Sequence, residues 1–298
     1  MSALAAFALV IVGALAAVFA AIALWARSHP LEAFVKMTRR TLVRAGLTRR
    51  ELQVNGSRIV YFSGGRGSRP LVLVHGVNDQ AGSWSGVVAK LRDRFRIVAV
   101  DLAGHGESEP SAGPLAMQVM IDGLGAVIDR ESPDDPVILV GNSMGGWVSM
   151  LYAVEHPGRV AQLVLEDASG LTWDVSHVPA FPKNREEALR LLRMVHGPTA
   201  PIPGFLVDAM LKLAPTLPQA RVLAAGVDRW AIDTRLPELK MPVTLIWGAH
   251  DGLLSLEYAR TLQGRIAGSR LHVIERAAHS PHRQTAAEFA QVLLEATA

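Results

Sequence analysis

The chain has 298 residues, 50% of them hydrophobic, with 30 Lys/Arg against 27 Asp/Glu for a formal net charge of +3. That length accommodates one large core, or a core with an inserted segment. The absence of cysteine excludes disulfides, thiolate metal sites and cysteine nucleophiles. The positive charge is local: residues 27–50 carry Arg27, Lys36, Arg39, Arg40, Arg44, Arg49 and Arg50 against Glu32 alone, so 51–298 is mildly acidic. A nucleic-acid partner is therefore not expected.

Residues 3–26 contain no charged side chain and end beside Trp25. A helix of that length reaches about 36 Å, enough to cross a bilayer core of roughly 30 Å, with the tryptophan where an interfacial aromatic belongs. A cleaved secretory signal wants a basic stretch first and a shorter apolar core; this run has neither, and reads as a retained anchor. All the basic residues follow it, which places the downstream domain on the cytoplasmic face of the membrane. Leu31, Phe34, Val35, Thr38 and Leu42 then recur at helical spacing, with Lys36, Arg39, Arg40 and Arg44 off that stripe. Such a basic amphipathic helix either lies near anionic headgroups or docks on the domain as a linker.

Strands are predicted at 51–54 and 58–62, joined by the hairpin signal Asn55-Gly56. Further strands are predicted at 70–74, 96–100, 136–140 and 161–165, and helices at 84–92, 115–130 and 144–155. The apolar run PLVLV at 70–74 is typical of a strand buried on both faces of a parallel sheet. Alternating strands and helices predict a doubly wound α/β sheet. The alternation breaks between 169 and 241, a proline-rich stretch with short helical patterns at 185–195, 204–213 and 217–226. It resumes with strands at 243–247 and 271–274 and helices at 256–266 and 285–295. The expected organisation is an anchor (1–27), a basic juxtamembrane helix (28–50), a core (51–169 and 241–298) and a helical lid (170–240).

Between the strand at 136–140 and the helix at 144–155 stands Gly141-Asn142-Ser143-Met144-Gly145, a G-x-S-x-G turn that lifts a serine above a sheet edge. A serine hydroxyl needs a base, and the base needs an orienting group. Asp251 follows the strand at 243–247 and His279 follows the strand at 271–274. Carboxyl ends of parallel strands share one rim, so Ser143, Asp251 and His279 can converge. His282 is the rival base and Asp167 the rival acid. His75 and His105 sit in glycine-rich turns and read as structural hydrogen-bonding groups rather than metal ligands. No metal or cofactor is expected.

The segments HGVNDQAGSW (75–84), DLAGHGES (101–108), GNSMGG (141–146), WGAHDGLLS (247–255) and AAHSPHRQ (277–284) together resemble the α/β-hydrolase-fold serine hydrolases of the lipase and esterase group. The resemblance covers about 52–294 and implies a mostly parallel eight-stranded sheet flanked by helices. With its N-terminal span the chain also resembles membrane-bound monoacylglycerol lipases, more loosely. The resemblance implies Ser143 as nucleophile, His279 as general base and acid, Asp251 as orienting acid, and the backbone amides of Val77 and Met144 as the oxyanion hole. Ala278 departs from the family, which usually has glycine before the histidine.

The expected activity is cleavage of a small hydrophobic, lipid-derived carboxylic ester. C–C bond hydrolysis and acyl transfer use the same triad. GNSMGG resembles the C–C hydrolases, yet those usually carry an aromatic where Ser280 stands. Cofactor-free haloperoxidase activity stays open as well, whereas epoxide hydrolases and dehalogenases use aspartate at the position of Ser143. A membrane-tethered binding module without catalysis is the remaining class, and the complete triad argues against it.

Overall fold

Residues 71–74, LVLV, offer solvent no polar face. The computed structural model, which describes residues 24, 25 and 27–298, buries them near the middle of an eight-stranded sheet. The strands are β1 (Leu47–Val54), β2 (Ser57–Gly64), β3 (Arg69–Val74), β4 (Phe95–Val100), β5 (Val137–Asn142), β6 (Val160–Glu166), β7 (Val243–Gly248) and β8 (Arg270–Ile274). Their order is β1-β2-β4-β3-β5-β6-β7-β8. β1 and β2 form an antiparallel hairpin and β2 runs antiparallel to β4, while β3 to β8 are mutually parallel. Asn55 and Gly56 take φ values of 50° and 80°, the two left-handed residues that a tight hairpin turn requires.

Period-2 alternation divides the core. Val72 and Val74 join the helices Met117–Glu131, Met144–Glu155 and Leu256–Arg265 on one face. Leu71 and Leu73 join the helices Pro30–Arg44, Ser85–Leu91 and Ala286–Ala296 on the other. The chain leaves β3 toward one face and β5 toward the other, so the carboxyl ends of these neighbouring strands flank a switch point. In open α/β sheets that is where a crevice forms. Strand and helix positions thus agree with the sequence reading to within a few residues.

Between β6 and β7 the helices Arg185–His196, Gly204–Leu213 and Pro218–Ala224 form a separate layer with its own small cluster, including Ala188, Leu192 and Val207. Two attachments bring it to the sheet edge. Asn78, beyond β3, exchanges hydrogen bonds with Gln219 at 2.9 and 3.0 Å. Arg221 donates to the carbonyls of Gly104, Pro110, Ala112 and Gly113.

The N-terminal helix departs from its expected pattern. It spans Pro30–Arg44, and β1 begins at Leu47, so Arg49 and Arg50 lie in a strand rather than in a helix running to residue 50. The helix docks on the domain through its C-terminal half: Leu42 is fully buried, whereas Phe34 is 40% exposed. Arg39, read from the spacing as an off-stripe surface charge, is buried. Its guanidinium donates to Asp101 Oδ2 at 2.6 Å and pairs with Glu107 at 2.6 Å. The physical reason is compensation, because Asp101 is itself fully buried and an uncompensated interior carboxylate is costly. Among the described residues no helix is long and apolar enough to cross a membrane. The span expected at 3–26 lies outside the described residues except for Leu24 and Trp25.

Arg39→Ala should lower unfolding stability by about 3–5 kcal/mol, the usual consequence of stranding one member of a buried ion pair. Urea denaturation measures this. A loss below about 1 kcal/mol would show that the pair behaves like an exposed one.

Candidate active site

The turn after β5 is shaped by what cannot fit there. A Cβ on Gly141 would lie 2.5 Å from the Gly145 carbonyl oxygen, and one on Gly146 would lie 2.4 Å from the Ala168 side chain. Ser143 sits in this turn at φ 52°, ψ −120°, a backbone state rare for a residue with a side chain and frequent at functional sites. Hydrogen bonds hold it there: the Ser143 amide donates to the Glu166 carbonyl at 2.9 Å, and its own carbonyl accepts from Gly146 at 3.0 Å and Ser169 at 3.1 Å.

The structure brings together the three residues singled out at separate strand ends. His279 Nε2 lies 2.9 Å from Ser143 Oγ, and His279 Nδ1 lies 2.8 Å from Asp251 Oδ2. Asp251 Oδ1 accepts from the amides of Leu253 at 2.8 Å and Leu254 at 3.0 Å. Facing a carboxylate, Nδ1 carries the ring hydrogen, which leaves the Nε2 lone pair for the serine hydroxyl. Burial works against a charged His279, but the charge and hydrogen bond of Asp251, followed by the charge of Glu166, outweigh it and raise the imidazole above its ordinary 6.5.

Asp167, the rival acid, sits close by. Ligand atoms of Asp167, Asp251 and His279 all fall within 4.8 Å of one another, yet only Asp251 has a hydrogen bond to the imidazole. Asp167 Oδ1 accepts from the Gly248 amide at 3.0 Å, and Oδ2 has no hydrogen-bond partner among the described residues. Burial, then the neighbouring charges of Asp251 and Glu166, hold this carboxyl well above the ordinary range. His282, the rival base, lies away from Ser143 and bonds to Glu166.

The loop after β3 completes the arrangement. A Cβ on Gly76 would lie 2.9 Å from Asn142 Oδ1 and 3.1 Å from Ser143 Cβ, so glycine lets the loop approach the serine. The Val77 amide has no acceptor among the described residues. Met144 opens its helix, and a first-turn amide has no partner within the helix. His75 Nε2 accepts from the Leu102 amide at 3.0 Å, so Nδ1 donates to the Gly76 carbonyl at 2.7 Å. Burial, with His75 nearby, pushes His105 down to about 3; it remains neutral and bonds to Ala103. Both histidines are tied into loops. Ala278 avoids positive φ among the described residues and donates its amide to Gln284 at 2.7 Å, so its methyl group does not displace the histidine turn.

Sequence reasoning missed Asn142, whose Nδ2 donates to the His279 carbonyl at 3.1 Å. It also missed the C-terminus of the helix Arg185–His196, where the Val195 carbonyl accepts from the His279 amide at 3.1 Å. A polar residue inside the turn motif was the available signal for the first; the second leaves no local trace. A cavity of about 600 Å³ opens beside this helix, lined by Leu189, Arg190, Arg193, Met194, His250 and Asp251 among others. Asp251 lines it, whereas Ser143 and His279 do not.

This geometry is accompanied by family-level similarity. Residues 71–292 match the alpha/beta hydrolase family. The chain is 29% identical over 242 residues to a pimeloyl-[acyl-carrier protein] methyl ester esterase of Neisseria meningitidis, covering 74% of this chain and 90% of that protein. It is 23% identical over 261 residues to the monoacylglycerol lipase ABHD6 of Homo sapiens, covering 78% and 77%. Among solved structures, a bacterial membrane phospholipase A superposes with a TM-score of 0.77 at 26% identity, covering 98% of this chain and 97% of that one.

Asp251→Asn should lower kcat on short p-nitrophenyl esters by about 10⁴-fold, because an amide facing Nδ1 favours the wrong tautomer. Asp167→Asn, at a carboxyl that makes no hydrogen bond to the imidazole, should stay within about tenfold of wild type. His279 acts as a base only after losing its proton, so the acid limb of kcat/KM should fall above pH 6.5 and move down when the Asp251 charge is removed. Equal losses in the two variants would reverse the assignment of the acid.

Proposed function

The chain belongs to the alpha/beta hydrolase family and is a hydrolase acting on esters, and from that premise we propose that Ser143, His279 and Asp251 cleave carboxylic esters through an acyl-serine intermediate. The observation that carries this reading is the imidazole of His279, hydrogen-bonded to Ser143 Oγ at 2.9 Å and to Asp251 at 2.8 Å. Ser143 Oγ attacks the ester carbonyl carbon as its proton passes to His279 Nε2. The resulting oxyanion is held by the amides of Val77 and Met144, each such donor being worth about 2.7–4 kcal/mol of barrier. Collapse breaks the carbon–oxygen bond, and His279 delivers its proton to the departing alcohol. Water then repeats the sequence on the acyl-serine, with His279 again taking the proton, and releases the acid.

The proposed substrate is hydrophobic and lipid-derived. Phe181, Phe205 and Leu223, in the segment between β6 and β7, are 43%, 46% and 41% exposed, apolar side chains available to an acyl chain. That segment is the proposed lid. Two similar proteins, a monoacylglycerol lipase and a membrane phospholipase A, bear names consistent with this class. Residues 3–26 are the proposed membrane anchor, with the domain on the cytoplasmic face, supported by the uncharged run and the basic residues after it.

Ser143→Ala should abolish ester turnover and labelling by a fluorophosphonate probe; a variant as active as wild type would end this reading. Removal of residues 1–26 should leave p-nitrophenyl butyrate hydrolysis within about twofold, while slowing hydrolysis of a long-chain monoacylglycerol in vesicles by about tenfold or more. Equal effects on both substrates would remove the case for a substrate drawn from the membrane.

A further inference from the structure

Outside the proposed triad, another histidine and carboxylate are fully buried together: Glu166 and His282 both have 0% exposure. Glu166 ends β6, and His282 lies in the short helix Pro281–Gln284 just after His279. The Glu166 carboxylate accepts from His282 Nδ1 at 2.8 Å and from the His282 amide at 2.7 Å. Among the described residues His282 Nε2 has no hydrogen-bond partner; the ring instead stacks on Trp84 at 4.0 Å. Trp84 closes the turn Ala81–Trp84 that follows the Val77 loop.

The remaining contacts of Glu166 give the pair its meaning. Its backbone carbonyl accepts the Ser143 amide at 2.9 Å, while its carboxylate holds the amide and ring of the histidine turn. One residue thus grips the element bearing the serine with its backbone and the element bearing His279 with its side chain. Asn142 adds a second strap, donating to the Glu166 carbonyl at 3.4 Å and to the His279 carbonyl at 3.1 Å.

We propose that Glu166 and His282 are positioning residues for ester cleavage, registering the turn that carries His279 against the turn that carries Ser143. This rests on the reading of Ser143 and His279 as nucleophile and base. A buried ionisable pair is weak evidence for stability, because desolvation consumes most of its attraction; geometric registration explains why it is placed here. Its charge has a second consequence. Among the described residues, the titratable groups around the His279 ring are Asp251 beyond β7, Asp167 and Glu166 at the end of β6, and His196 on the helix Arg185–His196. Glu166 adds negative charge there and favours protonated His279.

The test uses the full chain with Glu166→Gln, His282→Ala and His282→Asn. The asparagine places an N–H near the position of Nδ1. Readouts are kcat and KM on a short p-nitrophenyl ester, the pH dependence of kcat/KM, fluorophosphonate labelling and melting temperature. His282→Ala should lower kcat by about 10–100-fold with little change in KM, as expected for a small misplacement of reacting groups, and His282→Asn should recover most of it. Glu166→Gln keeps its acceptor oxygen and should shift the acid limb of kcat/KM to lower pH. If His282→Ala fails to fold, His282→Asn and Glu166→Gln decide. Folded variants with wild-type kcat and an unmoved limb would overturn the proposal, as would losses that only track the melting temperature. Failure of wild-type protein to label, or activity in Ser143→Ala, would instead overturn the underlying assignment of the serine.

Discussion

The main chain after β5 turns so tightly that a Cβ on Gly145 would lie 2.4 Å from the His75 carbonyl oxygen, while one on Gly76 would lie 3.1 Å from Ser143 Cβ. Two loops that bring different groups to the site are therefore packed backbone to backbone. The contact fixes Ser143 above the ends of β3 and β5 and aligns the first amide of the following helix toward the same place. Every later element inherits this position. β6 offers its last carbonyl to the Ser143 amide, and the turns beyond β7 and β8 converge on the hydroxyl from the opposite side. A larger residue at any of these glycines would separate the loops before it altered any side chain.

A second constraint is charge. Glu166, Asp167 and Asp251 are all buried within one small region, and three unpaired carboxylates could not share it. Each is accommodated differently. Asp251 accepts two amides and an imidazole N–H, Glu166 accepts an amide and the other imidazole, and Asp167 accepts one amide while burial and the neighbouring charges hold its carboxyl above the ordinary range. The outcome is an ordering of roles among chemically similar groups, set by their hydrogen-bond partners. Asp251, on the turn beyond β7, has two amide donors and the His279 ring as partners, whereas Asp167, adjacent in space, has the single Gly248 amide.

How much of this was legible in the sequence depends on range. Ser143, Asp251 and His279 could be aligned in advance because strand order converts sequence position into a place on one rim. The sheet could be read because its strands are short apolar runs. Arg39 was misjudged for the converse reason. Helical spacing distinguishes faces, but it does not say which face meets a partner, and the partner, Asp101, is 62 residues away. Glu166 and His282 are 116 residues apart. Nothing near either one marks the pair except a charged residue ending a mostly apolar strand and a second histidine after the first.

The segment between β6 and β7 was legible as short helices, but its seating was not, and the seating bears on function. Its first helix ends with the Val195 carbonyl on the His279 amide and the Met194 carbonyl on the Gly252 amide, next to Asp251. Its third, Pro218–Ala224, carries Gln219 in its first turn, bonded to Asn78 in the loop beyond Val77. From the other face of the sheet, Thr38 of the N-terminal helix accepts from Gln80 at 3.2 Å. The outer layers thus hold the backbone of the same turns that carry the reacting groups. The attachments of the first helix to the turns bearing His279 and Asp251 run through the main-chain carbonyls of Val195 and Met194, so its side chains can vary without breaking them. Substrate preference can therefore diverge in this segment while the geometry around Ser143 is retained.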